Sequence, residues 1–302
     1  MFWWSGIYLV VGRDRWPDQS VWEPQAGLKI RNVGIGVAPG CCYLFIIEKR
    51  ESGAKLMSDH SQATVSLFDR EDTADPREDS LETWLRDRSR ERAGRDFLLN
   101  DISPEKTAIL NVDMQHYFMS PGFQAACPMA INIISELNHL NREMRDRGAL
   151  PVWIQTSASE EAISGWSNYA ALQSPEGWSR RSEELAPGHE GFRLHQNLDV
   201  HDTDLFSVKT RFSAFIHGAS DLNEQLRARG VDTVLITGVA TGVCCESTAR
   251  DAMMLNYRVI MVSDALAALT RESHENSLKA LFGLFADVQS TQQVLEHTRV
   301  QT

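Results

Sequence analysis

From Thr107 onward, short apolar runs rich in Val and Ile alternate with segments whose apolar residues recur at helical spacing. Parallel neighbouring strands need crossover connections, which are usually helices, so this alternation predicts βα units on a mostly parallel sheet. We expect a three-layer α/β/α, Rossmann-like fold. Its six predicted strands are 107–113, 151–156, 205–209, 233–239, 258–263 and a weaker 286–290.

Two of the intervening segments show how the predicted helices begin and end. Residues 129–147 place Ile133, Leu137 and Met144 on one face, and this segment stops at Gly148. Residues 219–229 repeat the pattern and stop at Gly230, directly before a strand. Glycine after the last helical residue is a common helix end, so both segments are predicted helices.

The first hundred residues have a different character. Glycine and proline interrupt short hydrophobic pieces in residues 1–56, where no clear period emerges, whereas residues 57–104 are strongly charged, acidic at 69–79 and basic at 86–95. The charged part is typical of a solvated arm or an amphipathic helix. We therefore expect an irregular or partly disordered N-terminal extension over 1–100 and a folded domain over 101–302.

Charge and cysteine usage exclude several classes of protein. The net charge of −11 leaves no basic surplus to bind a phosphate backbone, so nucleic acid is not an expected partner. The apolar stretch 1–11 lacks a basic start and continues into charged residues, so it predicts neither a signal peptide nor a membrane anchor. The five cysteines do not form the spaced framework of a secreted domain, which favours a reducing cytoplasm.

The segment 237–251, TGVATGVCCESTARD, carries the strongest chemical signal. A predicted strand ends in small residues, the chain turns, and a helix is expected to begin near Cys244. Ligands bind at the carboxyl ends of strands in open α/β sheets, and a helix N-terminus stabilises a thiolate. This context predicts a nucleophilic cysteine, although buried structural cysteines are commoner in general.

Two further residues stand at the ends of predicted strands. Asp113 ends the first strand, in AILNVDMQ, and Lys209 ends the third, in LFSVKTRFSAF. Taken alone, Asp113 is equally typical of a capping residue, and Lys209 of a surface residue on an edge strand. Together with Cys244 they supply a base, a cation and a thiol that are expected to converge, because a buried lysine needs a carboxylate partner.

The three segments resemble the isochorismatase-like cysteine hydrolases over residues 104–298. That family has a strand ending in D-x-Q, a K-x-R-[FY]-S-[AG]-F segment, and G-[VI]-A-T-x-x-C-V-x-x-T-x-R-D-A. The resemblance implies that Asp113 is the general base, Lys209 the triad lysine and Cys244 the nucleophile. It also implies a cis peptide between Val239 and Ala240, with the backbone N–H groups of Ala240 and Cys244 in an oxyanion hole.

The resemblance further favours the amidohydrolase branch, which needs the thiol, and a homo-oligomer such as a dimer or tetramer. The expected activity is hydrolysis of a C–N bond in a small amide, carbamoyl or ureide substrate through a thioester. Two departures from the family pattern leave the local geometry and substrate preference open: Cys245 stands where Val is usual, and Gly242 where Asn or Asp often stands.

The residues around the second strand bear on metal and substrate. Metal-dependent relatives, the nicotinamidases, carry an Asp-x-His pair and a further His there, but 151–166 contains no histidine, and His189 and His195 lack that spacing. We therefore expect no metal and no cofactor. Gln155, Trp166 and Phe212 are candidates for contacts with substrate, although each is also compatible with core or rim packing.

Three alternatives remain at this stage. The first is an isochorismate-type vinyl ether hydrolase. The second is a catalytically silent domain whose charged N-terminal arm binds a protein partner. A nucleotide-binding α/β protein is the third and weakest, because no glycine-rich phosphate loop follows the first strand.

Overall fold

The computed structural model describes residues 80–158 and 165–299 in full and the backbone of 7–12, 28–32 and 43–49. Contacts divide the chain into two compact units, Met1–Thr73 and Ala74–Thr302. The first unit contains three strands, β1 (Ile7–Gly12), β2 (Leu28–Asn32) and β3 (Tyr43–Lys49). They pair antiparallel in the order β1-β3-β2. The sequence analysis did not identify these strands, because β1 and β3 are apolar runs without alternation and β2 alternates over only five residues.

The second unit is built on a six-stranded sheet in which every pairing is parallel, in the order β6-β5-β4-β7-β8-β9. This confirms the predicted fold class. Its strands are β4 (Thr107–Val112), β5 (Leu150–Thr156), β6 (Leu205–Lys209), β7 (Thr233–Val239), β8 (Arg258–Ala267) and β9 (Asp287–Gln289).

Helices follow or separate the strands, as the alternation predicts. Short 3₁₀ turns occur at Pro104–Lys106, Pro128–Ile131 and Glu190–Phe192. The helices are α1 (Leu81–Ala93), α2 (His116–Met119), α3 (Ile134–Asp146), α4 (Ser167–Ala170), α5 (Pro175–Glu184), α6 (Leu222–Ala228), α7 (Glu246–Met254), α8 (Arg271–Leu281) and α9 (Thr291–His297).

Two buried cores cover the two faces of the sheet, because alternate strand residues point to opposite faces. In β4, Ala108, Leu110 and Val112 pack on the face covered by α1, α6, α7 and α8. Ile109 points to the other face, where Trp153 and the apolar sides of α3 and α9 complete the core. Strands that are buried on both faces read as continuous apolar runs, which explains the sequence pattern.

The sequence suggested a domain boundary near residue 100, whereas the contacts divide the chain after Thr73. Helix α1 explains this difference. Ser80 caps its first turn, and Gly94 in the left-handed region ends it. Leu85 is buried in the core of the second unit, and Arg86 donates to the carbonyl of Val288 at 2.7 Å. The strongly charged segment is therefore an amphipathic helix over this stretch, and its apolar stripe is too narrow to be obvious in the sequence.

Within the described ranges, no helix combines the length and the apolar character that a bilayer crossing requires.

We expect Leu85→Ala to lower the free energy of unfolding by about 2–4 kcal/mol, because it removes a fully buried side chain from the core. Urea denaturation followed by circular dichroism measures the change. Leu172→Ala is the control, because Leu172 is 80% exposed and its truncation should change stability by less than about 0.5 kcal/mol. Equal effects of the two substitutions would contradict the assignment of α1 to this core.

Candidate active site

The carboxyl end of β4 turns sharply at Asp113. This residue has a φ of 55°, in the left-handed region, which aspartate adopts more readily than most residues. The neighbouring strand approaches closely at this point, because a β-carbon on Gly238 would lie 2.1 Å from the carbonyl oxygen of Val112. Position 238 therefore requires a glycine. Asp113, directly after Val112, is completely buried at this end of the sheet.

Lys209 ends the edge strand β6, yet its side chain is completely buried. Its ammonium group donates to the Asp113 carboxylate at 2.9 Å, to the Thr156 hydroxyl at 2.5 Å and to the Arg211 carbonyl at 3.1 Å. The Cys244 sulfur is a fourth acceptor for the three N–H bonds of this ammonium group. The pairing expected from the cost of burying a lysine is thus present.

Cys244 lies in the turn between β7 and α7. The peptide bond between Val239 and Ala240 is cis, as the family resemblance implies. Residues Thr241–Cys245 then form one π-helical turn that leads directly into α7. Both Asp113 and Lys209 act on the Cys244 thiol through charge and hydrogen bonding, so the structure brings the three predicted residues together.

The Cys244 thiol is protonated at rest. Burial is the largest influence and raises the pKa of Cys244 to about 12, with the Asp113 carboxylate acting in the same direction and Lys209 against it. The sequence predicted that the helix N-terminus stabilises a thiolate here, whereas burial acts in the opposite direction and favours the neutral thiol. Cys244 is only 5% exposed, which accounts for the large effect of burial.

Lys209, by contrast, keeps its charge. Burial alone lowers the pKa of Lys209, but the Asp113 carboxylate and the Cys244 sulfur raise it by more, so the net pKa lies above its ordinary value. The site therefore contains a fixed cation, a carboxylate and a neutral thiol. This combination allows a proton to move from sulfur to carboxylate beside a positive charge that does not titrate near neutral pH.

Cys245, the next residue, is fully buried in the core that α7 and α8 share with the sheet. Burial raises the pKa of Cys245 well above its ordinary value, and its sulfur contacts the carbonyl oxygen of Thr237 at 3.8 Å. Successive residues of a helical turn point about 100° apart, so the two thiols face different surroundings. Cys245 thus behaves as a small core residue.

Two residues at this end of the sheet were not among the predicted site residues. The Thr156 hydroxyl, at the end of β5, accepts from Lys209 and donates to Asp113 Oδ1 at 2.7 Å. Gln115 accepts from the Thr156 N–H at 2.7 Å and donates to the Thr156 carbonyl at 3.0 Å. The D-x-Q segment contains Gln115, but nothing in the sequence signals Thr156.

The three candidate substrate contacts fall in different places. Gln155 donates its amide to the Phe192 carbonyl at 2.8 Å and forms no hydrogen bond with Asp113, Lys209 or Cys244 in the part of the chain that the structure describes. Trp166 and Phe212 contact each other, with ring centroids 5.0 Å apart. The Arg211 guanidinium stacks over Trp166, and the carbonyl of the same residue accepts from Lys209, so Arg211 connects the two rings to the buried ion pair.

The structure also locates the histidines considered for a metal. His195 packs against His116 with ring centroids 5.1 Å apart, and His189 accepts from the Gly191 N–H. Among residues 80–158 and 165–299, no three histidine, cysteine, aspartate or glutamate side chains are grouped closely enough to hold a metal ion.

Comparison with protein families identifies one domain. The model of the isochorismatase domain matches residues 107–293, which is more than half of the 302 residues. This range contains the whole parallel sheet together with Asp113, Lys209 and Cys244.

Individual relatives are similar over the same region. The ureidoacrylate amidohydrolase RutB of Klebsiella pneumoniae (strain 342) is 29% identical over 210 residues, which cover 63% of this chain and 86% of RutB. A solved cysteine hydrolase from Pseudomonas syringae pv. phaseolicola 1448A has 25% identity and a TM-score of 0.55, covering 65% of this chain and 93% of its own. The pyrazinamidase of Pyrococcus horikoshii, solved in complex with zinc, has 26% identity and a TM-score of 0.52, covering 61% of this chain and 99% of its own.

The matching domain, the parallel sheet and the hydrolases among its relatives all lead to one conclusion. The chain belongs to the isochorismatase family of hydrolases.

Proposed function

We propose that this protein is a cysteine-dependent hydrolase that cleaves a C–N bond in a small amide, carbamoyl or ureide substrate through a thioester intermediate. The observation that carries this proposal is the position of the Cys244 thiol beside the fully buried Asp113–Lys209 pair. The names of RutB and of the pyrazinamidase, both enzymes of C–N hydrolysis, support the reaction class.

The first step forms a C–S bond. Asp113 accepts the proton of the Cys244 thiol while the sulfur attacks the carbonyl carbon of the substrate. The carbonyl π electrons move to oxygen, and the backbone N–H groups of Ala240 and Cys244 stabilise the resulting oxyanion. A base is needed for this step because the thiol, with its pKa of about 12, is protonated at neutral pH.

The second step breaks the C–N bond. As the carbonyl re-forms, Asp113 returns its proton to the departing nitrogen, which leaves as ammonia or an amine, and the acyl group stays on Cys244 as a thioester. Water then attacks the thioester carbon and gives a proton to Asp113. The C–S bond breaks, the acid leaves, and the sulfur recovers its proton from Asp113.

Lys209 contributes a constant positive charge to both steps. Its ammonium group lies 2.9 Å from Asp113 and also interacts with the sulfur. Negative charge therefore passes between carboxylate and thiolate within reach of one cation. In a buried site this electrostatic support is much stronger than in water.

A panel of small amides, carbamoyl compounds and ureides, assayed for ammonia release, tests the reaction class. We expect release from at least one member by the wild-type protein and none by Cys244→Ala, because that substitution removes the nucleophile. Cys245→Val is the matched control and should keep activity, because it replaces one small buried apolar group by another.

Brief iodoacetamide labelling of the native protein, mapped by mass spectrometry, shows whether Cys244 or Cys245 is the reactive thiol. The fast adduct is expected on Cys244. Full hydrolysis by Cys244→Ala, or a fast adduct on Cys245, would refute the mechanism. Hydrolysis of isochorismate without release of ammonia from any panel member would support the vinyl ether alternative instead.

Lys209→Met should lower turnover by orders of magnitude and raise the pKa of the Cys244 thiol further, because the cation that opposes the effects of burial and Asp113 is lost. The pH dependence of the alkylation rate measures this shift. Thermal unfolding should be monitored in parallel, because an unpaired buried carboxylate costs about 3–5 kcal/mol. Lys106→Met, at the exposed start of the sheet, is the control. An unshifted alkylation profile would place Lys209 outside the site.

Activity should be unchanged by EDTA and by added zinc, because the proposed steps use only the thiol, the carboxylate and the ammonium group. Assays before and after dialysis against EDTA, with elemental analysis of the protein, provide the measurement. Loss of activity on chelation that one specific metal restores would contradict a metal-independent mechanism.

A further inference from the structure

We propose that Thr156 is a positioning residue whose hydroxyl group fixes Asp113 and Lys209 in the orientation that the reaction needs. This proposal rests on the function proposed above. Thr156 is the last residue of β5 and is 3% exposed. It has no nucleophilic or acid–base part in the proposed steps, so its effect on the reaction would be exerted through its two charged neighbours.

The hydroxyl group sits between both members of the ion pair. It accepts from the Lys209 ammonium at 2.5 Å and donates to Asp113 Oδ1 at 2.7 Å, whereas the direct Lys209 contact uses Asp113 Oδ2. One oxygen of the carboxylate is thus tied to the lysine and the other to the threonine. The plane of the carboxylate is fixed by these two contacts, and its direction toward the sulfur is fixed with it.

Lys209 is constrained in the same way. Its other partners besides Asp113 are the Arg211 carbonyl and the Cys244 sulfur, so Thr156 supplies one of four acceptors around the ammonium group. Removing that acceptor would take away the shortest of these contacts in a fully buried position, and the ammonium group would shift toward its remaining acceptors, among them the Cys244 sulfur. A valine has the size of threonine but neither accepts nor donates.

The position of the hydroxyl group is itself held by the backbone around it. Gln115 binds both the N–H and the carbonyl of Thr156, with contacts of 2.7 Å and 3.0 Å. These two bonds resemble one step of a β-ladder and continue the pairing of β5 beyond Val112, the last residue of β4. Gln115 also donates to the Phe192 carbonyl, which ties this end of β5 to the turn Glu190–Phe192. The hydroxyl is therefore pre-oriented before substrate binds.

The test compares Thr156→Val with Thr156→Ser in the full-length protein. Serine keeps the hydroxyl and loses the methyl group, whereas valine keeps the shape and loses the hydroxyl. Thr233→Val is the matched control, because Thr233 is similarly buried but begins β7, at the end of the sheet opposite the site, and its hydroxyl donates to Asp232. For each variant we would measure kcat and KM on an active panel compound, the melting temperature, and the iodoacetamide rate of Cys244.

For Thr156→Val we expect kcat to fall by about 10- to 100-fold with KM changed less than threefold, because misplaced reacting groups slow the chemistry without removing substrate contacts. Alkylation of Cys244 should slow several-fold as the base and the cation lose their alignment with the sulfur. Thr156→Ser should recover most of both rates, and Thr233→Val should match the wild type in both. A loss confined to melting temperature would signify a structural role only.

The proposal is overturned if Thr156→Val keeps wild-type kcat and alkylation rates, or if Thr156→Ser is impaired as much as Thr156→Val. It is also overturned if Thr233→Val lowers kcat as much as Thr156→Val does when the two variants show a similar drop in melting temperature. The alkylation rate is measured without substrate. If no panel compound is hydrolysed by the wild-type protein, the proposed function fails, while the alkylation rates still decide the role of Thr156.

Discussion

The ion pair between Lys209 and Asp113 is the interaction on which the arrangement of the site depends. Both side chains are fully buried, and neither charge is stable there without the other. Their contact joins the ends of β4 and β6, which lie on opposite sides of β5 in the sheet. Thr156 at the end of β5 completes the connection, so three adjacent strands meet in one hydrogen-bonded group. The energetic cost of burying charge thereby defines the geometry in which Cys244 sits.

That burial also determines how the proposed chemistry begins. In the low dielectric of the site, Cys244 rests as a neutral thiol with a raised pKa, and Lys209 stays charged because two partners oppose the effect of burial. A thiolate formed in advance would add a second negative charge beside Asp113. Transfer of the proton to Asp113 instead keeps one negative charge beside one positive charge throughout the cycle. The same features make Cys245, one residue further on, unsuitable as a nucleophile.

Individual strands, helices and site residues show how much of the structure could be predicted from the sequence. Strands β6 and β7 have the predicted bounds, and β4 and β5 differ by one residue. Strands β4, β5 and β7 are recognisable because buried parallel strands are continuous apolar runs, whereas β6 is a partly exposed edge strand. For the charged segment that contains α1, the sequence predicted either a solvated arm or an amphipathic helix, because most residues of this helix face solvent. Asp113, Lys209 and Cys244 could be found because each lies at or shortly after the carboxyl end of a strand. Thr156 could not, because a threonine at a strand end is ordinary until the positions of its neighbours are known.

The sequence by itself determined the alternation of strands and helices, the family, and the residue types that stand at the strand ends. These properties depend on local periodicity and on short motifs, which a single chain displays directly. Only the tertiary structure decided which face of the sheet each side chain meets, that Lys209 on an edge strand is buried, and that burial keeps Cys244 protonated. The physical reason is that burial and hydrogen-bond partners arise from segments far apart in the chain, as the sequence separation of 96 between Asp113 and Lys209 illustrates.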